Sequence, residues 1–148
     1  MTALSAGGWT DDPEALARRA LGLQAAWCAA VGTGAVLFGG GIARAVRLPS
    51  SVVRVGGLAS IGWSATVALW SLAEEWKPAT RRVTGANVVA ASALTGHALA
   101  RGTAAGRVGI GLTAAQLAGF AFTQAKALVA AEPERRFALQ NARTGSGR

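Results

Sequence analysis

Four long stretches of the chain carry no charged residue, and the charges are concentrated between them. The stretches cover residues 20–43, 55–73, 83–100 and 108–125 and are 24, 19, 18 and 18 residues long. Because a helix rises about 1.5 Å per residue, each comes close to or exceeds the length that crosses a hydrocarbon core of about 30 Å. A helix of a soluble bundle, the alternative, would place charges along its wet face. The pattern predicts an all-α fold, a transmembrane four-helix bundle.

The connections between the stretches predict how the helices follow one another. They read RAVRLPSSVVR, EEWKPATRR and RGTAAGR and are short, with proline, serine or glycine in each. Short connections make consecutive helices antiparallel neighbours, so we expect two antiparallel helical hairpins. The helical domain is predicted at 13–131, with spans at about 20–43, 55–73, 83–100 and 108–131.

The two ends of the chain differ from the helical domain in composition. Residues 1–12 are predicted to be a flexible N-terminus, and 132–148 a basic, disordered tail. An alternative for the first stretch is a cleaved signal, with Arg18 and Arg19 before its apolar part and Ala-Arg-Ala at 43–45 after it. The length of that apolar part favours a retained helix over a signal.

The stretches are rich in alanine and glycine rather than in large apolar residues. In lipid, helices associate where small residues let their backbones approach, and a spacing of four puts such residues on one side of a helix. The stretch 83–100 has few large apolar residues, so we expect it to be the weakest span and the most enclosed by protein. Three stripes are predicted to form packing faces: Gly22, Ala26, Ala30 and Gly34; Gly56, Ser60, Ser64 and Ala68; Gly111, Ala115, Gly119 and Thr123.

Charge and chemistry narrow the function classes. The net charge is +8, and the basic residues lie at the ends of the apolar stretches, where lipid headgroups are expected. No aromatic residues interleave with them as in a nucleic-acid platform, so nucleic acid is not an expected partner. Cys28 and His97 are each the only residue of their kind, so neither a metal site nor a catalytic pair is predicted. We expect a non-enzymatic protein without a cofactor.

Three amides form a candidate polar layer within the predicted spans. Gln24 is five residues past Arg19, Asn87 is five past Arg82, and Gln124 lies near the end of the last span. Antiparallel threading puts all three at one membrane level, and amides avoid lipid, so each should face inward. Asn87 and Gln124 are the expected main pair. The layer is interpreted as interhelical hydrogen bonding, with a polar vestibule open to the cytoplasm as the alternative.

A second candidate is an interfacial cluster at the connection between the second and third stretches. Its members are Glu74, Glu75, Lys77, Arg81 and Arg82. A solvated cluster is the first interpretation, and a binding site for a cation or a lipid headgroup is the second. No carboxylate lies inside a predicted span, which argues against proton-coupled transport.

Basic residues also predict the orientation in the membrane. Leaving aside Lys126, nine Lys or Arg residues lie on the side that would hold both termini, against five on the other side. Cytoplasmic loops carry an excess of such residues, so both termini are predicted in the cytoplasm of a multi-pass inner-membrane protein.

Two segments, RRVTGANVVAASAL at 81–94 and GRVGIGLTAAQLAGFAFTQAKAL at 106–128, resemble the third and fourth spans of uncharacterised small four-helix integral membrane proteins of bacteria. In that pattern a basic residue precedes an alanine-flanked asparagine, here Asn87, and a glutamine, here Gln124, lies near the end of the last span. The resemblance implies a bacterial membrane home.

The expected function is a scaffold or accessory subunit that binds lipid, another membrane protein or a second copy, with an oligomeric transporter or channel protomer as the alternative.

Overall fold

The computed structural model describes residues 12–101 and 103–132, and in these ranges the regular structure is helical, with no strand. This confirms the predicted all-α fold. Apart from residues 12 and 132, the predicted flexible N-terminus (1–12) and basic tail (132–148) lie outside the described residues. The helices are α1 (Pro13–Leu37), α2 (Gly39–Val46), α3 (Ser50–Ser71), α4 (Trp76–Arg101) and α5 (Ala104–Ala130).

Local sequence accounts for where the helices begin. The Asp12 carboxylate accepts hydrogen bonds from the backbone N–H groups of Glu14 (2.9 Å) and Ala15 (3.2 Å), which caps α1. Pro13 follows at the first helical position, where its missing N–H costs nothing. The Thr103 hydroxyl accepts from the N–H of Gly106 at 3.1 Å and caps α5 in the same way.

The stretch predicted as one span at 20–43 is two helices. The chain leaves helical geometry at Phe38 (φ −105°, ψ 18°), between α1 and α2. Three consecutive glycines follow, and glycine is a weak helix former, which places the break there. The short α2 contacts α3 and α5. The other three predicted stretches lie within α3, α4 and α5, except for residues 72 and 73, which follow α3, and residue 131, which follows α5.

The four long helices form two antiparallel hairpins. α1 packs most extensively on α3, and α4 on α5. The hairpins meet mainly between α1 and α5, whereas α3 and α4 contact each other little. At the end where α1 begins and α5 ends, Ala17, Trp76, Ala127 and Ala131 form a buried apolar cluster.

The distribution of large side chains differs from that in a soluble bundle. The fully buried side chains include Gln24, Gln124, Asn87 and Thr80, all of them polar. Large apolar side chains lie on the outside along every long helix, for example Leu23, Leu58, Val89, Leu112 and Phe122. The core between the helices is built mainly of alanine with single larger residues such as Leu21 and Val67.

Two of the three predicted stripes do not pack inside the bundle. The stripe that begins at Gly22 and the stripe that begins at Gly111 lie mostly on the outside, and a β-carbon added at Gly22, Gly34, Gly111 or Gly119 would meet nothing within 4 Å. The second stripe is right in part, since Ser60 and Ser64 face α1 while Gly56 and Ala68 are exposed. Small residues occur on every side of these uncharged helices, so spacing alone does not single out the packed side.

The expectation that the third stretch is the most enclosed is also wrong. Fewer residues of 83–100 are buried than of 108–125. The reason is that α4 packs mainly on α5, whereas α5 packs on both α4 and α1. By length and apolar composition, two described helices, α1 and α3, qualify as candidate membrane spans.

Candidate functional site

Three amide side chains meet in the interior of the bundle, one from each of α1, α4 and α5. Gln24 and Gln124 are 0% exposed and Asn87 is 2% exposed. Gln24 Nε2 donates to Asn87 Oδ1 at 2.6 Å, and Asn87 Nδ2 donates to Gln24 Oε1 at 2.9 Å. Gln124 Nε2 donates to Gln24 Oε1 at 2.8 Å. We call these three residues the amide cluster.

The hydrogen bonding of the amide cluster is closed on itself. Asn87 Nδ2 donates a second, longer bond to Gln124 Oε1 at 3.3 Å, so the closest pair is Gln24 with Asn87 rather than the expected Asn87 with Gln124. Thr84 extends the cluster, since its hydroxyl lies 3.1 Å from Gln124 Oε1 and 2.8 Å from the Thr80 carbonyl oxygen. Every amide oxygen and nitrogen has a partner, as buried polar groups require.

The sequence reasoning brought these three residues to one level but missed Thr84. The signal for Thr84 was its position one helical turn before Asn87, which puts both on one side of α4. A threonine in a helix ordinarily bonds the carbonyl one turn before it, as Thr84 also does, so its presence does not predict a bond to a neighbouring helix.

Apolar side chains separate the amide cluster from the end of the bundle where α1 begins. Leu21, Ala25, Val67 and Val83 form a buried cluster beside it, with Trp63 and Trp70 packed against that cluster. The cluster around Trp76 lies further toward the same end. These apolar clusters cover the amides on the side of the α1 start, which is where the alternative interpretation places a polar vestibule.

One cleft reaches the amide cluster from between α3 and α4. It has a volume of about 320 Å³, and α3 and α4 contact each other little overall. Asn87 forms part of its wall, together with Cys28, Ser60, Trp63, Ala86, Ala90 and Leu117. The Ser60 hydroxyl donates to the Cys28 carbonyl oxygen at 2.9 Å, so this polar group is also engaged within the bundle.

The structure does not join the predicted interfacial cluster by ion pairs. Glu74 and Glu75 are exposed in the connection between α3 and α4, and no ion pair in the described part of the chain links either of them to Lys77, Arg81 or Arg82. Lys77 instead donates to the Ala131 carbonyl oxygen at 3.4 Å.

Three basic residues at this end contact an aromatic ring or the end of a neighbouring helix. Lys77 Nζ lies 5.5 Å from the ring centroid of Trp76, and the guanidinium of Arg82 lies 6.0 Å from the ring centroid of Trp70. Arg18 bonds both Glu14 (2.8 Å) and the carbonyl oxygen of Ser71 (2.6 Å). These contacts place cations beside tryptophans, as at a membrane–water interface.

The single histidine closes the opposite end of the bundle. His97 Nε2 lies 3.0 Å from the Val46 carbonyl oxygen, at the end of α2. Within 12–101 and 103–132, no group of three or more His, Cys, Asp or Glu side chains could hold a metal ion.

Comparison with known protein families, curated proteins and solved structures finds no match to this chain.

Proposed function

We propose that the chain is an integral membrane protein whose four long helices span a bilayer. The observation that carries the proposal is the distribution of side chains, with three amides buried in the core and many large apolar residues on the outside. In water such a surface would be an aggregation hazard, whereas in lipid it is the required one. α1 and α3 also have the length and apolar composition of membrane spans.

α4 and α5 are spans in this proposal because of what flanks and fills them. Each contains an uncharged stretch of 18 residues between basic residues, and their polar amides Asn87 and Gln124 turn inward. An apolar outer face with an inward polar group suits a helix that inserts beside a neighbour. The bundle would lie in a bacterial inner membrane with both termini in the cytoplasm.

Reporter fusions test this topology. A phosphatase that is active only outside the cytoplasm is fused after residues 48, 74, 102 and 148, and activity is expected at 48 and 102 alone. Activity at 74 or 148 would contradict the proposed orientation. Equal activity at all four positions, or release of the chain from membranes by alkaline carbonate, would contradict the spanning bundle.

Within the membrane we propose a non-enzymatic scaffold or accessory subunit. The amide cluster uses its own polar groups for internal bonding, so the capacity for binding lies on the outer faces. On α5 the stripe of Gly111, Ala115 and Gly119 is exposed in the described part of the structure, and such a stripe admits a partner helix at close range.

Affinity purification in mild detergent tests the scaffold. A co-purifying membrane protein should be lost from a Gly119→Leu variant, whose new side chain blocks the stripe, and retained by Gly62→Leu on the outside of α3. Both sites are open, since a β-carbon at either meets nothing within 4 Å. Equal recovery with both variants would contradict a partner surface on α5.

The alternative is a transporter or channel protomer, and one observation favours it. Asn87 belongs to the amide cluster and also lines the cleft between α3 and α4, so a small solute in that cleft would meet an amide. Solute flux into vesicles containing the protein should then fall in Asn87→Leu and persist in Gln116→Leu, which changes an exposed amide. Absence of flux for the unaltered protein would leave the scaffold as the function.

A further inference from the structure

A groove on the outer side of the α4/α5 hairpin has the form of a binding site for one hydrocarbon chain. Its volume is about 380 Å³ and its walls come from these two helices alone. Small side chains, Ala91, Ala118 and Ala121, line it, and the exposed side chains of Val88 and Phe122 lie beside them. We call it the α4/α5 groove.

The groove has the length of an acyl chain within one leaflet. It runs along α4 from Thr84 to Ser92, two positions separated by eight helical steps, which corresponds to about 12 Å at 1.5 Å per residue. Half of a hydrocarbon core of about 30 Å is about 15 Å. A chain that enters at Thr84 would therefore reach close to the middle of the bilayer.

Two cations stand at the Thr84 end of the groove. Lys126 Nζ lies 5.7 Å from the ring centroid of Phe122, a residue that lines the groove. Arg81 precedes Thr84 by three residues and Val88 by seven, so helical spacing puts it on the same side of α4. Both cations are exposed, and neither takes part in an ion pair among the described residues.

We propose that the α4/α5 groove binds one acyl chain of an anionic phospholipid whose phosphate lies between Arg81 and Lys126. The apolar walls supply the site for the chain, and the two exposed cations supply the charge complementarity for the headgroup. A second copy of this chain in the same orientation would bring Arg81 and Lys126 toward their own equivalents, so like charges oppose that occupant. The inference rests on the proposed membrane function.

Spin-labelled lipids test the groove in the intact protein. The full chain is reconstituted into phosphatidylcholine vesicles with a trace of spin-labelled phosphatidylglycerol or spin-labelled phosphatidylcholine, and the motionally restricted fraction of each label is measured. The unaltered protein should hold the anionic label several-fold more strongly. The preference should fall by up to about five-fold for each cation removed in Arg81→Gln and Lys126→Gln.

A groove-filling variant and a cation control separate the site from general surface attraction. Ala118→Leu, at an exposed position of the groove, should lower the restricted fraction of the anionic label while the helix content is unchanged. Arg101→Gln with Arg107→Gln removes two exposed cations at the opposite end of the same hairpin and should leave most of the preference.

Four results would overturn the inference. The first is equal restriction of the two labels by the unaltered protein. The second is a preference that is lost when Arg101 and Arg107 are substituted but kept when Arg81 and Lys126 are substituted. The third is an Ala118→Leu variant that holds the anionic label unchanged, and the fourth is an Ala118→Leu variant that alters only the oligomeric state. Release of the unaltered protein by alkaline carbonate would instead refute the membrane function itself. A protein that stays inserted without lipid preference refutes only the groove.

Discussion

Gly32 on α1 and Gly57 on α3 lie in reciprocal contact, each against the backbone of the other. A β-carbon at Gly32 would come within 2.6 Å of the Gly57 carbonyl oxygen, and one at Gly57 within 2.7 Å of the Gly32 carbonyl oxygen. Real β-carbons do not approach backbone so closely, so both positions require glycine for this helix separation.

Gly32→Ala and Gly57→Ala should therefore each destabilise the bundle. Forcing a methyl group into a closed contact costs about 1–3 kcal/mol, and the obstruction here is backbone, which yields less than a side chain. Thermal unfolding in detergent measures the loss. Gly34→Ala on α1 and Gly62→Ala on α3 are the controls, because a β-carbon there meets nothing within 4 Å. Equal stability of Gly32→Ala and Gly34→Ala would contradict the close approach.

The amide cluster should stabilise the bundle by more than any exposed amide does. Gln124→Leu removes one donated bond and two accepted ones, at about 0.6 kcal/mol each, so we expect a loss of about 2 kcal/mol. Gln116→Leu changes an exposed amide on the same helix and should be neutral or stabilising in detergent. A larger loss for Gln116→Leu than for Gln124→Leu would reverse this assignment.

A double variant tests whether the amides act as one cluster. Asn87→Leu removes bonds to both glutamines, so combining it with Gln124→Leu should cost less than the sum of the two single losses. Chemical or thermal denaturation of the four proteins gives the coupling free energy. Strict additivity would mean that Asn87 and Gln124 contribute separately.

The hydroxyl of Thr103 should stabilise the junction between α2 and α5. It donates to the Ala45 carbonyl oxygen at 2.6 Å and accepts from the Gly106 N–H at 3.1 Å. Thr103→Val keeps the shape, removes both bonds and should cost about 1 kcal/mol, a usual value for a helix cap. Thr113→Val, whose hydroxyl bonds only a carbonyl of its own helix, is the matched control. The prediction fails if both variants unfold at the same temperature.

Ser64 should hold α1 to α3 through a single buried bond. Its hydroxyl donates to the Ala25 carbonyl oxygen at 2.7 Å. Ser64→Ala should cost about 0.6 kcal/mol, the usual value for such a bond between helices in lipid. Ser92→Ala on α4 removes an exposed hydroxyl that bonds its own helix and should change stability less. Unfolding temperatures of the two variants decide, and a greater loss for Ser92→Ala would contradict the role of Ser64.

Much of the architecture followed from the order of charged and uncharged residues along the chain. Uncharged stretches of 18 residues or more dictated the four long helices, and the short connections between them dictated antiparallel hairpins. The level of Gln24, Asn87 and Gln124 followed from counting residues from the charged ends, because a helix has a constant rise. The position of a residue along its helix axis depends only on its distance in sequence from the helix end, so the sequence alone predicts it.

Only the tertiary structure decided which side of each helix is packed. Gly32 lies in the contact between α1 and α3, whereas Gly22 and Gly34 on the same helix do not, and no local feature distinguishes them. An amphipathic helix reveals its inner face by its polar residues, but helices without charges and with small residues all round carry no such signal. The rotation of each helix and the closest amide pair depend on fitting neighbouring helices together, and packing between elements settles them.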